Sequence, residues 1–191
     1  MAEVAARQGV TFQSAPWLAE RGPLTRFIFR GGSAAQAAAG RAFGVSLPTA
    51  ACRAASAGQR HALWLGPDEF LLLAPEGAEG AIAAEIGAAQ GAEPHSLVDV
   101  SHRQVAFEIV GAHAEWLLEA QCPLPLHVDA FPVGMCTRTV FAKAEIVLWR
   151  TAPDVFHVEV WRSFSRYVVE LLAAIAREKY PSAPAPARPH H

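Results

Sequence analysis

The chain has 191 residues, of which 52% are apolar, but 39 of those are alanine, so the stock of large apolar side chains is ordinary. That content excludes intrinsic disorder, and a chain of this length can bury one or two cores. Sixteen basic against eighteen acidic residues leave a net charge of −2 with no run of either sign, which argues against a nucleic-acid partner.

Residues 1–23 read as an N-terminal arm. They are polar and punctuated by Gly and Pro, with Trp17 and Leu18 their one large apolar pair. Leu24–Arg30 is a strand candidate, with Phe27 and Phe29 on one face and Ile28 on the other. Gly31-Gly32 ends it. Ser33 is placed to cap an alanine-rich helix over 34–43, which Gly44 closes. His61–Leu65 and Glu69–Ala74 read as strands joined by a Gly-Pro-Asp turn, because Pro presets φ and Asp and Gly accept turn geometry. A helix over Ala78–Gln90 and a strand over Ser96–Val100 follow. The order β-α-β-β-α-β is the split-βαβ, or ferredoxin-like, plan.

A similar order repeats. Gln104–Val110 alternates as a strand and Gly111 ends it. Ala112–Gln121 reads as a helix that Pro123 stops. Met135–Phe141, Ala144–Trp149 and Phe156–Trp161 are strand candidates. Ser163–Lys179 is a helix with Phe164, Tyr167, Val168, Leu171, Leu172 and Ile175 at helical spacing. The string from Leu63 to Phe70 (LWLGPDEF) echoes that from Leu148 to Phe156 (LWRTAPDVF), each a strand, a Pro-Asp turn and a second strand. The expected fold class is therefore α+β, with two pseudo-repeated split-βαβ halves and antiparallel sheets. They divide as 24–103 and 104–179, after the arm and before a disordered Pro/Ala tail over 180–191.

The densest polar cluster is Asp99-Val100-Ser101-His102-Arg103. A triad is assembled in space from separate segments, and here Asp99 and Ser101 share one strand face while His102 points to the other. The cluster reads as hydrogen bonding at the junction of the halves. Cys122, His127 and Cys136 are conceivable metal ligands, but their spacing matches no common zinc pattern. Gly31-Gly32 stands where a phosphate loop would, yet lacks the fingerprints of one. No catalytic, cofactor-binding or metal-binding residue is assigned. Candidates for a partner surface are Trp17 and Leu18, as aromatic and apolar anchors, and Arg103 and Arg162, which follow strands and suit bidentate pairing with carboxylates. Three scattered cysteines, no signal peptide and no apolar stretch of membrane-spanning length read as a cytoplasmic protein without a membrane partner.

These segments resemble a family. Ala62–Leu73 (ALWLGPDEFLLL), Val98–Arg103 (VDVSHR), Phe131–Val140 (FPVGMCTRTV), Ile146–Arg150 (IVLWR) and Trp161-Arg162-Ser163-Phe164 look like the gamma subunit of heterotetrameric sarcosine oxidase, over about Leu24 to Arg177. The resemblance implies a fold like the folate-binding domain of aminomethyltransferases. In that superfamily a DLSHR-like segment precedes a strand, and a later Gly-rich strand pair carries an acidic residue that works on tetrahydrofolate. Asp99–Arg103 matches the first, and Glu145 is the one carboxylate at the second, so Asp99 and Glu145 are possible remnants of a folate site. The implied role is a non-catalytic subunit packing on alpha, alongside beta and delta subunits, in a complex that demethylates sarcosine to glycine. FAD, FMN and NAD would belong to the complex and not to this chain, with tetrahydrofolate as co-substrate. The alternative is a stand-alone tetrahydrofolate-binding one-carbon transfer protein.

Overall fold

The structure is a computed structural model and describes residues 15–180. The first fourteen residues, and 181–191 of the segment read as a tail, lie outside the described residues. The elements in chain order are β1 (Leu18–Glu20), β2 (Leu24–Gly31), α1 (Ser33–Phe43), β3 (Ala54–Ala57), β4 (Arg60–Gly66), β5 (Glu69–Pro75), α2 (Glu79–Gln90) and β6 (His95–Asp99). Then come β7 (Gln104–Val110), α3 (Ala114–Glu119), β8 (Cys136–Phe141), β9 (Ala144–Ala152), β10 (Val155–Trp161) and α4 (Arg162–Ala176).

The strands form two antiparallel sheets. The first runs β3-β4-β5-β2-β6 and the second β8-β9-β10-β7-β1. The orders coincide once β8, β9, β10 and β7 are matched to β3, β4, β5 and β2. Only the last slot is filled differently. In the first sheet it takes the strand after the second helix. In the second it takes β1, from the segment read as an arm. Leu18, Ala19 and Glu20 pair with Ile109, Glu108 and Phe107 of β7. The echo of the two Leu-Trp hairpins is therefore an echo of position, since β4–β5 and β9–β10 occupy matching slots.

Strand alternation sorts side chains into three layers. On β5, Phe70, Leu72 and Ala74 face α1 and α2, while Leu71 and Leu73 face the other sheet. On β9 and β10, Ile146, Leu148, Phe156, Val158 and Val160 join the core beneath α3 and α4, while Val147 joins Leu63, Leu71, Leu73 and Cys136 between the sheets. The sheets thus stack back to back with helices outside. Backbone bonds stitch one pair of sheet edges together: Ala54 N to Gly134 O at 2.9 Å and Cys136 N to Cys52 O at 3.0 Å.

Local details depart from expectation in places. Ser33 is the first helical residue and Gly32 holds the cap position, with no side-chain cap. Gly44 does close α1, at φ 75, in the left-handed region that costs glycine little. Gly40 lies close to backbone, since a Cβ there would sit 3.1 Å from both Leu47 N and Val45 O, which would have to give by a few tenths of an ångström. Strand β3 was not anticipated, because Ala54–Ala57 has no large apolar residue to betray its alternation. On α4 the fully buried residues are Ser165, Val168, Leu172 and Ala176, so the buried stripe is turned away from Phe164 and Tyr167, which stay exposed.

Candidate functional site

The polar chemistry of the chain gathers between the sheets. Alternation on β10 sends His157 and Glu159 to the face opposite Phe156, Val158 and Val160, and that face looks onto β2. There Arg26 Nε donates to Glu159 Oε2 at 2.7 Å, and both side chains are almost wholly buried. His157 Nε2 meets the other carboxylate oxygen at 2.9 Å. Arg26 Nη1 donates to Leu24 O at 3.1 Å and Ser101 O at 3.4 Å. Burial alone would raise the Glu159 carboxyl. The Arg26 charge and the bonds from His157 and Arg26 outweigh it and hold the group below the usual carboxylate range. A second ionic tie joins the sheets through Glu69 of β5. It accepts from Arg138 Nη2 of β8 at 2.5 Å and from Arg30 of β2.

Beside the Arg26 pair a cleft of about 390 Å³ opens, walled by His61, Leu73, Trp149 and His157, with Arg21 and Glu108 at its rim. The Trp149 ring stands 5.1 Å from His61 and 5.8 Å from His157. Arg21 Nη2 donates to Glu108 Oε1 at 2.5 Å. Burial first, and then the nearby His157 and Arg21, push His61 below its ordinary value. His61 Nδ1 lies 2.8 Å from Ser56 Oγ, a serine–histidine contact that the sequence did not suggest because β3 was not legible. A hydrolytic relay needs a carboxylate orienting the other ring nitrogen. Among the described residues no such bond to His61 is formed. Among the described residues the cleft presents no activated nucleophile.

The residues singled out from the sequence fall in separate places. Trp17 is 2% and Leu18 7% exposed, both in the core of the second sheet. They anchor the chain to itself, which corrects their reading as exposed partner anchors: as the lead-in and first residue of β1 they point into the β7 layer. Asp99 Oδ1 accepts from Ser101 N at 2.8 Å and Ser101 Oγ at 2.5 Å, and Ser101 Oγ accepts from Arg26 N at 2.9 Å. The Asp-Ser-His cluster is thus a hydrogen-bonded junction leading to the Arg26 pair. Glu145 lies in the β8–β9 hairpin opposite Val140, 3.8 Å from Arg138 Nε, on the other sheet from Asp99. The structure does not bring Asp99 and Glu145 together. Arg103 stacks on Trp161 at 5.3 Å, and Arg162 Nε donates to His102 O at 3.2 Å.

The three conceivable metal ligands also diverge. Cys122 meets Thr139 Oγ1 at 3.9 Å, His127 turns to Asp129, and Cys136 donates to Trp64 O at 3.6 Å. Among the described residues no group of three such side chains could hold a metal. Burial pushes the Cys136 thiol up to about 12. The thiolate is the reactive form, so Cys136 should resist alkylation in the native protein at pH 8 and react only on unfolding, as mass-spectrometric peptide mapping would read. Native alkylation at Cys136 would contradict this. The Gly31-Gly32 turn does not fit a phosphate. Gly31 N is bonded to Asp68 O at 3.1 Å, and the Gln36 amide spans the turn to Gly31 O and Pro67 O. Sequence reasoning missed Arg150, which is buried. Its guanidinium donates to Leu126 O at 2.8 Å, Phe131 O at 3.0 Å and Pro153 O, and so pins the segment between α3 and β8. No helix of the described residues is long and apolar enough to cross a membrane.

Comparison with known proteins adds the following. Residues 30–178 match the model of the sarcosine oxidase, gamma subunit family. The chain is 39% identical to sarcosine oxidase subunit gamma of Corynebacterium sp. (strain P-1) over 142 residues, 74% of this chain and 69% of that one. It is 34% identical to the subunit gamma of Corynebacterium sp. (strain U-96) over 172 residues, 90% of this chain and 81% of that one. Among solved structures, it superposes on a chain of the heterotetrameric sarcosine oxidase from Corynebacterium sp. U-96 in complex with pyrrole 2-carboxylate. The TM-score is 0.78 at 32% identity, covering 88% of this chain and 86% of that chain. It also superposes on the glycine cleavage system aminomethyltransferase T from Bartonella henselae with a TM-score of 0.62 at 15% identity, covering 84% of this chain and 46% of that one, a likeness of fold.

Proposed function

The chain belongs to the sarcosine oxidase gamma subunit family, and from that premise we propose that it is a non-catalytic subunit of a heterotetrameric sarcosine oxidase, an oxidoreductase complex. The observation that carries the proposal is the superposition of nearly the whole described chain on one chain of such a heterotetramer. The interior chemistry supports it. Arg26, Glu159, Glu69, Arg138 and Arg150 are engaged in bonds that hold sheets and loops together. In this reading the other subunits (alpha, beta and delta) carry the FAD, FMN and NAD with which the complex oxidises sarcosine, and this chain packs on alpha. Independent folate chemistry is the weaker reading, since the Asp99 carboxylate already serves Ser101.

The test is reconstitution. Co-expression of the other subunits with and without this chain, followed by size-exclusion chromatography and sarcosine-dependent oxygen uptake, is expected to give an incomplete assembly and reduced turnover when the chain is omitted. An oxidase that assembles and turns over normally without it would overturn the proposal.

A further inference from the structure

One deeply buried histidine is only half engaged by the protein. His157 of β10 is 5% exposed, and its Nε2 is fixed 2.9 Å from Glu159 Oε1. The other oxygen of that carboxylate accepts from Arg26 Nε at 2.7 Å, which holds the group ionised, so Nε2 is the donor. A neutral imidazole that donates from Nε2 keeps its lone pair on Nδ1. Nδ1 has no partner among the described residues, and the ring is part of the cleft wall, so this nitrogen opens onto the cleft. It is a fixed point, because the ring cannot turn without breaking its bond to Glu159.

Much of the remaining wall is apolar or aromatic. Leu24, Leu73 and Pro75 line it, and the half-buried Trp149 ring stands 5.8 Å from the His157 ring and 5.1 Å from that of His61. The volume, about 390 Å³, is in the range of small-molecule sites. The two charged residues on the wall, Arg21 and Glu108, are bonded to each other, so the mouth carries no net sign to attract an ion. Neither Asp99 nor Glu145 lines the cleft, which separates it from the residues of the possible folate remnant.

We propose that this cleft is a binding site for a neutral aromatic molecule of one or two rings that carries a hydrogen-bond donor on its edge, the ring against Trp149 and the donor on His157 Nδ1. The indole face and the apolar walls favour a flat apolar body. The oriented lone pair selects the donor, since a ring without one would bury Nδ1 unmet. An anion fits poorly, because it would face that lone pair while Arg21 is engaged with Glu108. The site goes beyond the assembly reading and stands independently of it.

The experiment titrates indole into the full chain at pH 8, beside N-methylindole, which has nearly the same shape and lacks the N–H donor. Calorimetry reads binding, and nitrogen NMR of the labelled imidazoles reads His157. The expected results are one-to-one binding of indole, a shift of the His157 Nδ1 signal, and binding of N-methylindole about tenfold weaker. His157→Gln keeps an amide N–H for Glu159 and removes the acceptor, so it should weaken indole by a similar factor and leave N-methylindole unchanged. Should that variant fail to fold, the pair of ligands on the unmodified chain still decides. Equal affinities for the two ligands would overturn the inference. So would the absence of heat with indole, or binding that leaves the His157 signals where they were.

Discussion

Replacing Arg26 by methionine should destabilise the fold by about 3–5 kcal/mol, because it leaves Glu159 charged and without its cation in a site closed to water. The cost comes from the orphaned carboxylate more than from the lost attraction. The double variant R26M/E159M should therefore recover most of the loss, since an apolar pair of similar volume fits among Ile28, Leu73 and Val147. Urea unfolding of the two variants beside the unmodified protein reads both quantities. Equal midpoints for R26M and R26M/E159M would defeat this account. The pair also sets a pH dependence. Glu159 is held below its unfolded value, so its contribution is fully present above the ordinary carboxylate range and is lost as pH falls through the lower folded value. In R26M that acid-side loss should shrink.

The same pair shows where sequence reading stopped. The strand over Phe156–Trp161 was legible, and the structure sets its Phe156, Val158 and Val160 on one face. The opposite face, His157 and Glu159, carries the polarity of a solvent-facing strand surface, but a second sheet lies on it. Nothing local announces that the partner cation is Arg26, 133 residues away. The Leu-Trp hairpins were legible as a repeat because they recur with the same Pro-Asp turn. Strand β3 was not, because alanine and serine carry no hydrophobic contrast. On α4 the six apolar residues define a wide face, and periodicity alone does not say that the core takes Val168 and Leu172 while Phe164 and Tyr167 are left outside. Arg103 and Arg162 were legible as strand-end cations. The stacking of Arg103 on the exposed ring of Trp161 depends on β7 and β10 being neighbours, which is a property of topology.

Replacing Trp17 by alanine should cost about 3–5 kcal/mol, as truncation of a fully buried aromatic does, although the residue lies in a segment that looks dispensable by sequence. Trp17 is 2% exposed, and its carbonyl accepts from Val110 N at 2.9 Å, extending the β1–β7 pairing by one bond. Its ring packs in the layer of Phe107, Ile109, Leu117, Leu172 and Ala176, so both β7 and α4 would lose a neighbour. Removal of everything before Leu24 should do more. It would strip β1 from β7 and expose the β7 edge, turning a closed slot into an unpaired strand edge prone to association. The corresponding slot of the first sheet is filled by β6, which the chain reaches only after completing α2. The second sheet has no strand after α4 among the described residues, and β1 takes that place from the opposite end of the chain. Thermal unfolding of Trp17→Ala together with light scattering of the truncated chain separates the two effects. A truncated chain that stays monomeric with an unchanged midpoint would show that the second sheet stands without its borrowed strand.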